Sequence, residues 1–463
     1  MDALPDLHPK RQPAAAERAS LERYARQTLP RYTSYPTAPH FAPMEAAAYG
    51  DWLGAIEAED RLSLYLHIPF CRALCWYCGC HTAVTRSAAR TGRYAAGLVA
   101  EAALLAAALP AASAVEALHL GGGTPSALGA EALDAVMQAL RARFRLLPDA
   151  ALSVELDPRV LDEPMVAMLA RQGFRRASLG VQDMAPAVQR LIGRMQSPAL
   201  VEQAVTRLRR SGIDSVNIDL MYGLPGQTAA HAAASAGFAA AIGADRVAVF
   251  GYAHVPWMKP HQKAIPEALL PDAMARLEQA EAAEQALLAA GYVAIGLDHF
   301  ARPGDAMAAA ARDGSLRRNF QGYTTDGAPV LLGLGASAIG TLPQGYAQNI
   351  ADERGWLAAV QEGRLPVGRG LALTEDDRLR RRLIEAVMCD RSLDLRRIPG
   401  RVWRSALPRL APLVADGLAV IEDGRLAATA PGRRFVRHIA ACFDARLGPG
   451  QPGPAPAQHS RAV

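Results

Sequence analysis

Three things are scarce in this 463-residue chain. Its most apolar stretch, from Tyr94 to Leu120, is broken by Glu101, Pro110 and Glu116. A membrane helix needs about 20 largely uninterrupted apolar residues, so a buried, alanine-rich helix is expected there and no membrane span. The N-terminus MDALPDLHPKRQP is polar and holds three prolines, unlike the apolar core of a secretory leader. Cysteine is rare, and four of the six (Cys71, Cys75, Cys78 and Cys80) crowd into ten residues. A disulfide framework spreads its cysteines to staple distant loops, so the reading is a reduced, cytoplasmic protein with a metal site. The net charge of +5 is spread along the chain, with no basic block beyond short runs such as Arg380–Arg382. No nucleic-acid partner is expected without a concentrated basic face, and a mild positive bias fits an anionic small substrate equally well, so the charge alone decides nothing.

What is present is alternation. Short apolar runs at residues 62–68, 117–123, 152–157, 176–181, 215–223 and 246–253 read as strands, with a further candidate at 292–297. Helical text fills the gaps at 87–109, 129–143, 161–172, 199–211 and 229–243. This pattern predicts a parallel sheet covered by helices, closed partly or fully as an α/β barrel of (β/α)6 type. Chemistry in such barrels gathers at the C-terminal ends of strands. There the sequence places the cysteine loop, Gly121–Pro125, Glu155, Asp157, Gln182 and Asp219. The expected division is an irregular lead-in over 1–50, the barrel over 51–345, a small, mainly helical, winged-helix-like domain over 346–447 and a mobile Pro/Gly-rich tail over 448–463. Thr374 is the expected cap of the first C-terminal helix, and Asp423-Gly424 the turn of a hairpin.

Cys71-x3-Cys75-x2-Cys78 brings three thiolates onto one centre from one loop, and no second cysteine knuckle exists elsewhere. Paired knuckles are the habit of structural zinc. Three soft ligands suit a 4Fe–4S cluster that keeps one iron open to another ligand. The CxxxCxxC spacing, with Tyr77 before the last cysteine and GGGTP about forty residues on, is the signature of radical S-adenosylmethionine enzymes. GGGTP presents bare backbone to a ligand. Cys389 and Cys442 read as buried small hydrophobes. His67, His254 and His299 lack metal-ligand spacing and read as hydrogen-bonding residues. The faint dinucleotide pattern at Gly333, Gly335 and Gly340 follows no opening βαβ unit and is set aside.

PRYTSYPTA, LYLHIPFC, CWYCGC, GGGTPS, GVQD, NIDLMYGLPGQT, DHFARP, RRNFQGYTT, LLGLGASAIG, ALTEDDRLRR and ACFD together resemble the oxygen-independent coproporphyrinogen III oxidases over nearly the whole chain. Related haem chaperones typically lack both the RYTSYP lead-in and the C-x-C ending made by Cys78 and Cys80. A haem-binding chaperone on the same scaffold is the alternative function. The resemblance implies a 4Fe–4S cluster on Cys71, Cys75 and Cys78, with Cys80 outside the ligand set, and two S-adenosylmethionine molecules. Tyr65, Tyr77, Gly122, Glu155 and Ile339 would contact the first. Gly123, Thr124, Gln182, Arg194, Asp219 and Ala253 would line the second. Tyr77 stands where the family has phenylalanine, and Leu120 where it has an aromatic residue. The implied reaction is radical oxidative decarboxylation of two propionates of coproporphyrinogen III to vinyl groups, giving protoporphyrinogen IX. The implied setting is a monomer supplied with electrons by a donor such as a flavodoxin or ferredoxin. The lead-in would close the active site, with Arg31 and Tyr32 near substrate.

Overall fold

The computed structural model describes residues 15–110 and 113–447; the expected tail at 448–463 lies outside them. Six strands, β1 (Arg61–Ile68), β2 (Ala114–Gly122), β3 (Arg145–Leu156), β4 (Arg176–Gln182), β5 (Ser215–Tyr222) and β6 (Arg246–Gly251), stand side by side in chain order, all parallel. Beyond β6 the sheet ends in the short antiparallel strands β7 (Val293–Ile295) and β8 (His299–Ala301). The run at 292–297 is therefore an edge piece three residues long and not another barrel strand. On the other side, β9 (Val330–Leu334) runs parallel to β1. Antiparallel strands β10 (Ile339–Thr341), β11 (Gly345–Asn349) and β12 (Val367–Ala372) follow it. The terminal strands of this order do not pair with each other among the described residues, so the barrel stays open.

The crossovers carry α1 (Ala88–Ala108), α2 (Ala130–Arg143), α3 (Glu163–Arg171), α4 (Pro198–Arg210) and α5 (Ala229–Ala241). Four of the five starts have a side-chain cap, and α2 follows Gly129 without one. Ser87, Asp162 and Ser197 accept the N-terminal amides of α1, α3 and α4, and Thr228 with His231 forms a capping box on α5. Strand β4, and β5 as far as Leu220, alternate between buried and half-buried residues. One face packs on the helices, which puts Ser178, Gln182, Asn217 and Asp219 on the barrel's inner face.

The sheet runs on to Ala372 and so passes the boundary expected at residue 345. Helix Ala46–Gly54 likewise straddles the boundary expected at 50 and joins the barrel core through Tyr49 and Leu53. After the sheet, α6 (Ala273–Ala289), inserted earlier between β6 and β7, packs beside α7 (Glu375–Met388) and α8 (Gly400–Ala415) in a second core. Thr374 caps α7, with Asp377 completing the box. The hairpin turns at Asp423 (φ 49°) and Gly424 (φ 73°), both left-handed as a two-residue type I′ turn requires. The lead-in is built into this second core: Tyr24, Leu29, Tyr32 and Tyr35 are buried in it. No helix among the described residues is long and apolar enough to cross a membrane.

A single buried carboxylate ties α1 to the loop after β9. Glu101 accepts Gly335 N–H at 2.7 Å, Trp356 Nε1 at 3.1 Å and Asn349 Nδ2 at 2.5 Å. Each buried donor left without a partner costs about 1–3 kcal/mol. Glu101→Ala strands several of them at once, and the loss of unfolding free energy in urea should exceed about 3 kcal/mol. A denaturation midpoint equal to that of the parent protein would show that these donors find other partners.

Candidate functional site

Strand β1 ends at Ile68 and Pro69 follows it, and Phe70–Cys71 then pairs with Ala83–Val84. This fixes the start of the cysteine loop. Its other side is held by the backbone after β2: Gly123 N–H donates to Ile68 O at 2.9 Å and Thr124 N–H to Phe70 O at 2.7 Å. A Cβ on Gly123 would lie 2.6 Å from Phe70 O and 2.7 Å from Thr82 Oγ1, so only glycine allows this approach. Gly122 adopts φ +115°. Cys71 Sγ lies 3.3 Å from Thr82 Oγ1 and 3.6 Å from Thr124 Oγ1.

The far end of the loop is clamped from the segment after β6. His261 Nε2 meets Cys78 O at 2.8 Å, Lys259 Nζ donates to Cys80 O at 2.8 Å and Gln262 Nε2 to Tyr77 O at 2.9 Å. The hydrogen bond from Cys80 brings the Cys78 thiol down to about 6 against the effect of burial, with His261 and Lys259 adding to it. Cys78 is thus disposed to be a thiolate, the form that binds metal. Cys75 is buried, and its sulfur accepts from Arg194 at 3.4 Å and Arg159 at 3.5 Å.

Among the described residues no three Cys, His, Asp or Glu side chains converge as ligands of a single metal ion. Three cysteines around one cavity, one of them disposed to ionise, fit the cluster.

That cavity, of about 660 Å³, is lined by Cys71, Cys75, Tyr77, Cys78, Gly122, Gly123, Thr124, Glu155, Gln182, Arg194, Asp219 and Ala253, and Cys80 opens onto it too. Of the residues assigned to the cofactors, Tyr65 and Ile339 do not line it, and of the lead-in pair Arg31 lines it while Tyr32 is buried in the second core. Tyr65 bonds His67 Nδ1 at 3.0 Å and stacks on His119. Ile339 packs beside Phe41 and Tyr346. Gln182 sits at φ 71° beside a bulge in β4, a conformation that non-glycine residues keep only where surroundings impose it.

The charged groups are individually held. Burial opposes ionisation of Glu155, but the His119 hydrogen bond at 3.3 Å and charge, with Gly122 N–H at 3.0 Å, keep its carboxyl below the usual range. Burial likewise opposes ionisation of Asp157, and Arg159 at 2.7 Å and Arg194 at 3.2 Å outweigh it. Arg194 also donates to Gly180 O, while its Nε has no hydrogen-bond partner. Asp219 accepts Ser178 Oγ and Asn217 Nδ2, each at 2.7 Å. Burial lifts its carboxyl to about 6 against the Ser178 hydrogen bond, and the Glu155 charge adds to the rise.

His67, His254 and His299 are hydrogen-bonded to His81 O, Glu267 and Asp298, in keeping with their lack of metal-ligand spacing. Arg159 and His119 were not anticipated as site residues. Each lies two or three positions from a strand-end residue that was, which is the signal that could have found them. The clamp from His261 and Gln262 had none, because nothing local ties that segment to the cysteine loop.

The radical SAM superfamily model matches residues 65–239, and the HemN C-terminal domain model matches residues 373–435. The chain is 48% identical over 448 residues to the oxygen-independent coproporphyrinogen III oxidase of Bradyrhizobium diazoefficiens, covering 95% of this chain and 98% of that one. It is 47% identical to the corresponding protein of Paracoccus denitrificans, over 90% and 94% of the two chains. The solved coproporphyrinogen III oxidase of Escherichia coli, described as a radical SAM enzyme, superposes with TM-score 0.85 at 39% identity, covering 91% of this chain and all of that one.

The packing at Gly123 is testable. Gly123→Ala, reconstituted anaerobically with iron and sulfide, should hold less than about half the parent's iron while keeping its far-UV circular dichroism. Full iron content would show that the loop can yield without losing the centre.

Proposed function

The chain belongs to the oxygen-independent coproporphyrinogen III oxidases of the radical SAM superfamily, and from that premise we propose that it converts two propionates of coproporphyrinogen III to vinyl groups, giving protoporphyrinogen IX in haem biosynthesis. The observation that carries this reading is the meeting of Cys71, Cys75 and Cys78 with the glycine turn, Glu155 and Asp219 in one cavity. The family's 4Fe–4S cluster and S-adenosylmethionine, when bound, supply reductive cleavage of the sulfonium and the carbon-centred radical chemistry that removes hydrogen from a propionate β-carbon.

The chain's own residues have distinct tasks in this reading. Cys71, Cys75 and Cys78 hold the cluster, and Arg159 and Arg194 donate to the Cys75 sulfur, which tunes such a centre. Gly122, Gly123 and Thr124 present backbone to the cofactor. Glu155 and Asp219 accept from ribose hydroxyls or an ammonium, and Arg194 Nε is the donor left for a carboxylate. Tyr77, Gln182 and Ala253 complete the wall, and two S-adenosylmethionine molecules share the cavity. Tyr65 acts through His119, and Ile339 through the β10 backbone. The lead-in closes the site, since Leu29 and Arg31 reach the cavity. The chain acts as a cytoplasmic monomer fed by a flavodoxin- or ferredoxin-type donor. Its cysteines, all free thiols, agree with a reducing compartment.

Reconstituted protein should carry about four irons, cleave S-adenosylmethionine when reduced and form vinyl product from coproporphyrinogen III. Stable haem binding with cleavage but no vinyl product would point to the chaperone alternative; a zinc-loaded protein would sink both. Cys80→Ser should keep its iron and lose vinyl formation, whereas loss of iron would make Cys80 a ligand. Asp219 protonates as pH falls through about 6, so affinity for S-adenosylmethionine should drop below that pH. In Asp219→Asn it should be weaker and flat across the same range, and an unchanged profile would remove Asp219 from cofactor binding.

A further inference from the structure

Nine large apolar side chains are exposed among the described residues. Six of them, Trp76, Val84, Met195, Trp257, Met258 and Leu269, fall on three segments, residues 69–86, 184–200 and 252–270. These are the segments that carry and wrap the cysteine loop. Trp76 stands between Cys75 and Cys78, donates its N–H to Ile192 O at 2.9 Å and lays its ring on Gly193, where a Cβ would come within 3.1 Å of it. Met195 follows Arg194, which donates to the Cys75 sulfur. Trp257 and Met258 precede the clamp residues Lys259, His261 and Gln262. Trp257 is 53% and Met258 61% exposed, so the clamp does not use them up. From behind, Tyr77 packs on a buried cluster of Val188, Ile192, Tyr252 and Ile265, which joins the three segments. An apolar patch of this kind on one face marks an interaction site, and Trp, Met and Arg are the residues enriched at the centre of protein interfaces.

The rim of the patch is basic. Across the three segments six arginines and lysines stand against one acidic residue, Glu267, and His254 engages that one at 3.0 Å. Arg72, Arg190 and Lys263 are exposed. A partner suited to this face therefore has an apolar centre inside an acidic border. The position of the face says what such a partner delivers. Electron tunnelling falls off exponentially with distance, and Trp76 is where the chain between two of the cluster cysteines comes to the surface.

We propose that this face docks the electron donor, an acidic flavodoxin whose apolar flavin edge meets Trp76 and Trp257 and whose carboxylates meet Arg72, Arg190 and Lys263. The proposal rests on the functional reading above and names the surface its donor uses. The reduced flavin loses one electron and the cluster gains it, with no bond made or broken and no proton moved. Such encounters need only a small interface, below about 1,200 Å², and the charged rim sets the rate of encounter.

The test uses reconstituted protein with two electron sources, purified flavodoxin kept reduced by its NADPH-dependent reductase, and dithionite. Trp257→Gln should raise the KM for flavodoxin at least about tenfold, and added salt should raise it in the parent. Cleavage of S-adenosylmethionine driven by dithionite should stay at the parent rate in the variant. Carbodiimide joins lysine amines to carboxylates, and the chain has three lysines, Lys10, Lys259 and Lys263. Flavodoxin should be cross-linked through Lys263, and Lys263→Arg should lose that link while keeping its KM. Cross-linking through Lys10 alone, or to a second copy of this chain, overturns the docking. So does a Trp257→Gln variant that raises KM for coproporphyrinogen III under dithionite, which would make the patch a substrate entry. A parent that turns over with dithionite but not with flavodoxin overturns the docking and leaves the function standing. A parent that cleaves S-adenosylmethionine with neither source overturns the functional reading, and the docking falls with it.

Discussion

The site depends on one backbone-to-backbone contact. Where β2 ends, Gly123 and Thr124 donate to the carbonyls of Ile68 and Phe70 just beyond β1. The two chains lie so close that no Cβ fits at Gly123. Hydrogen bonds between main-chain groups do not depend on rotamers, so the first cysteine is set against the sheet with the precision of the sheet itself. The same turn delivers Thr124 Oγ1 to the Cys71 sulfur and Gly122 N–H to Glu155. The cluster end and the polar end of the cavity are therefore registered to each other through three consecutive residues.

Electrostatics then sorts the interior. Near Cys75, Arg159 and Arg194 face Asp157, and their positive charge suits a thiolate and its cluster. Further in, Glu155 and Asp219 form an acidic patch on the inner face, with Asp219 the harder of the two to ionise. Outside both lies an arginine-rich cavity, which Arg31, Arg318, Arg434 and Arg437 line against Glu284 and Asp298 beside Phe250.

Much of this was legible because the barrel's pattern is local. Period-two burial on β4 and β5, and caps such as Ser87, Asp162 and Thr228, are written within a few residues of the elements they define. The boundary placed at 345 failed because β10, β11 and β12 continue the sheet as short antiparallel strands. Without crossover helices the alternation rule has nothing to detect. Of the site residues, those on strand ends were read from the pattern itself. Tyr65, Arg194, Ala253 and Ile339 came only through family likeness; Arg194 and Ala253 line the cavity, and Tyr65 and Ile339 do not. Arg318 was quoted within a motif, but its partners are the carbonyls of Arg31 and Tyr32, nearly three hundred residues away. No periodicity reports a contact of that span.

The C-terminal region is more than an appendage to the barrel. Arg437 donates to Pro30 O at 2.9 Å and to Leu29 O, and Tyr32 OH donates to Asp444 at 3.0 Å. The segment that carries Arg31 into the cavity is thus held by main-chain and buried contacts to the second core, whose lead-in members Tyr24, Leu29, Tyr32 and Tyr35 pack beside Leu383, Val402 and Phe435. Burying those aromatic side chains contributes a few kcal/mol each. The second core therefore fixes the backbone that carries Arg31 to the cavity wall. A change at its centre, far from any cofactor, alters the placement of Arg31 before it unfolds the barrel, because the barrel core is a separate cluster of buried residues.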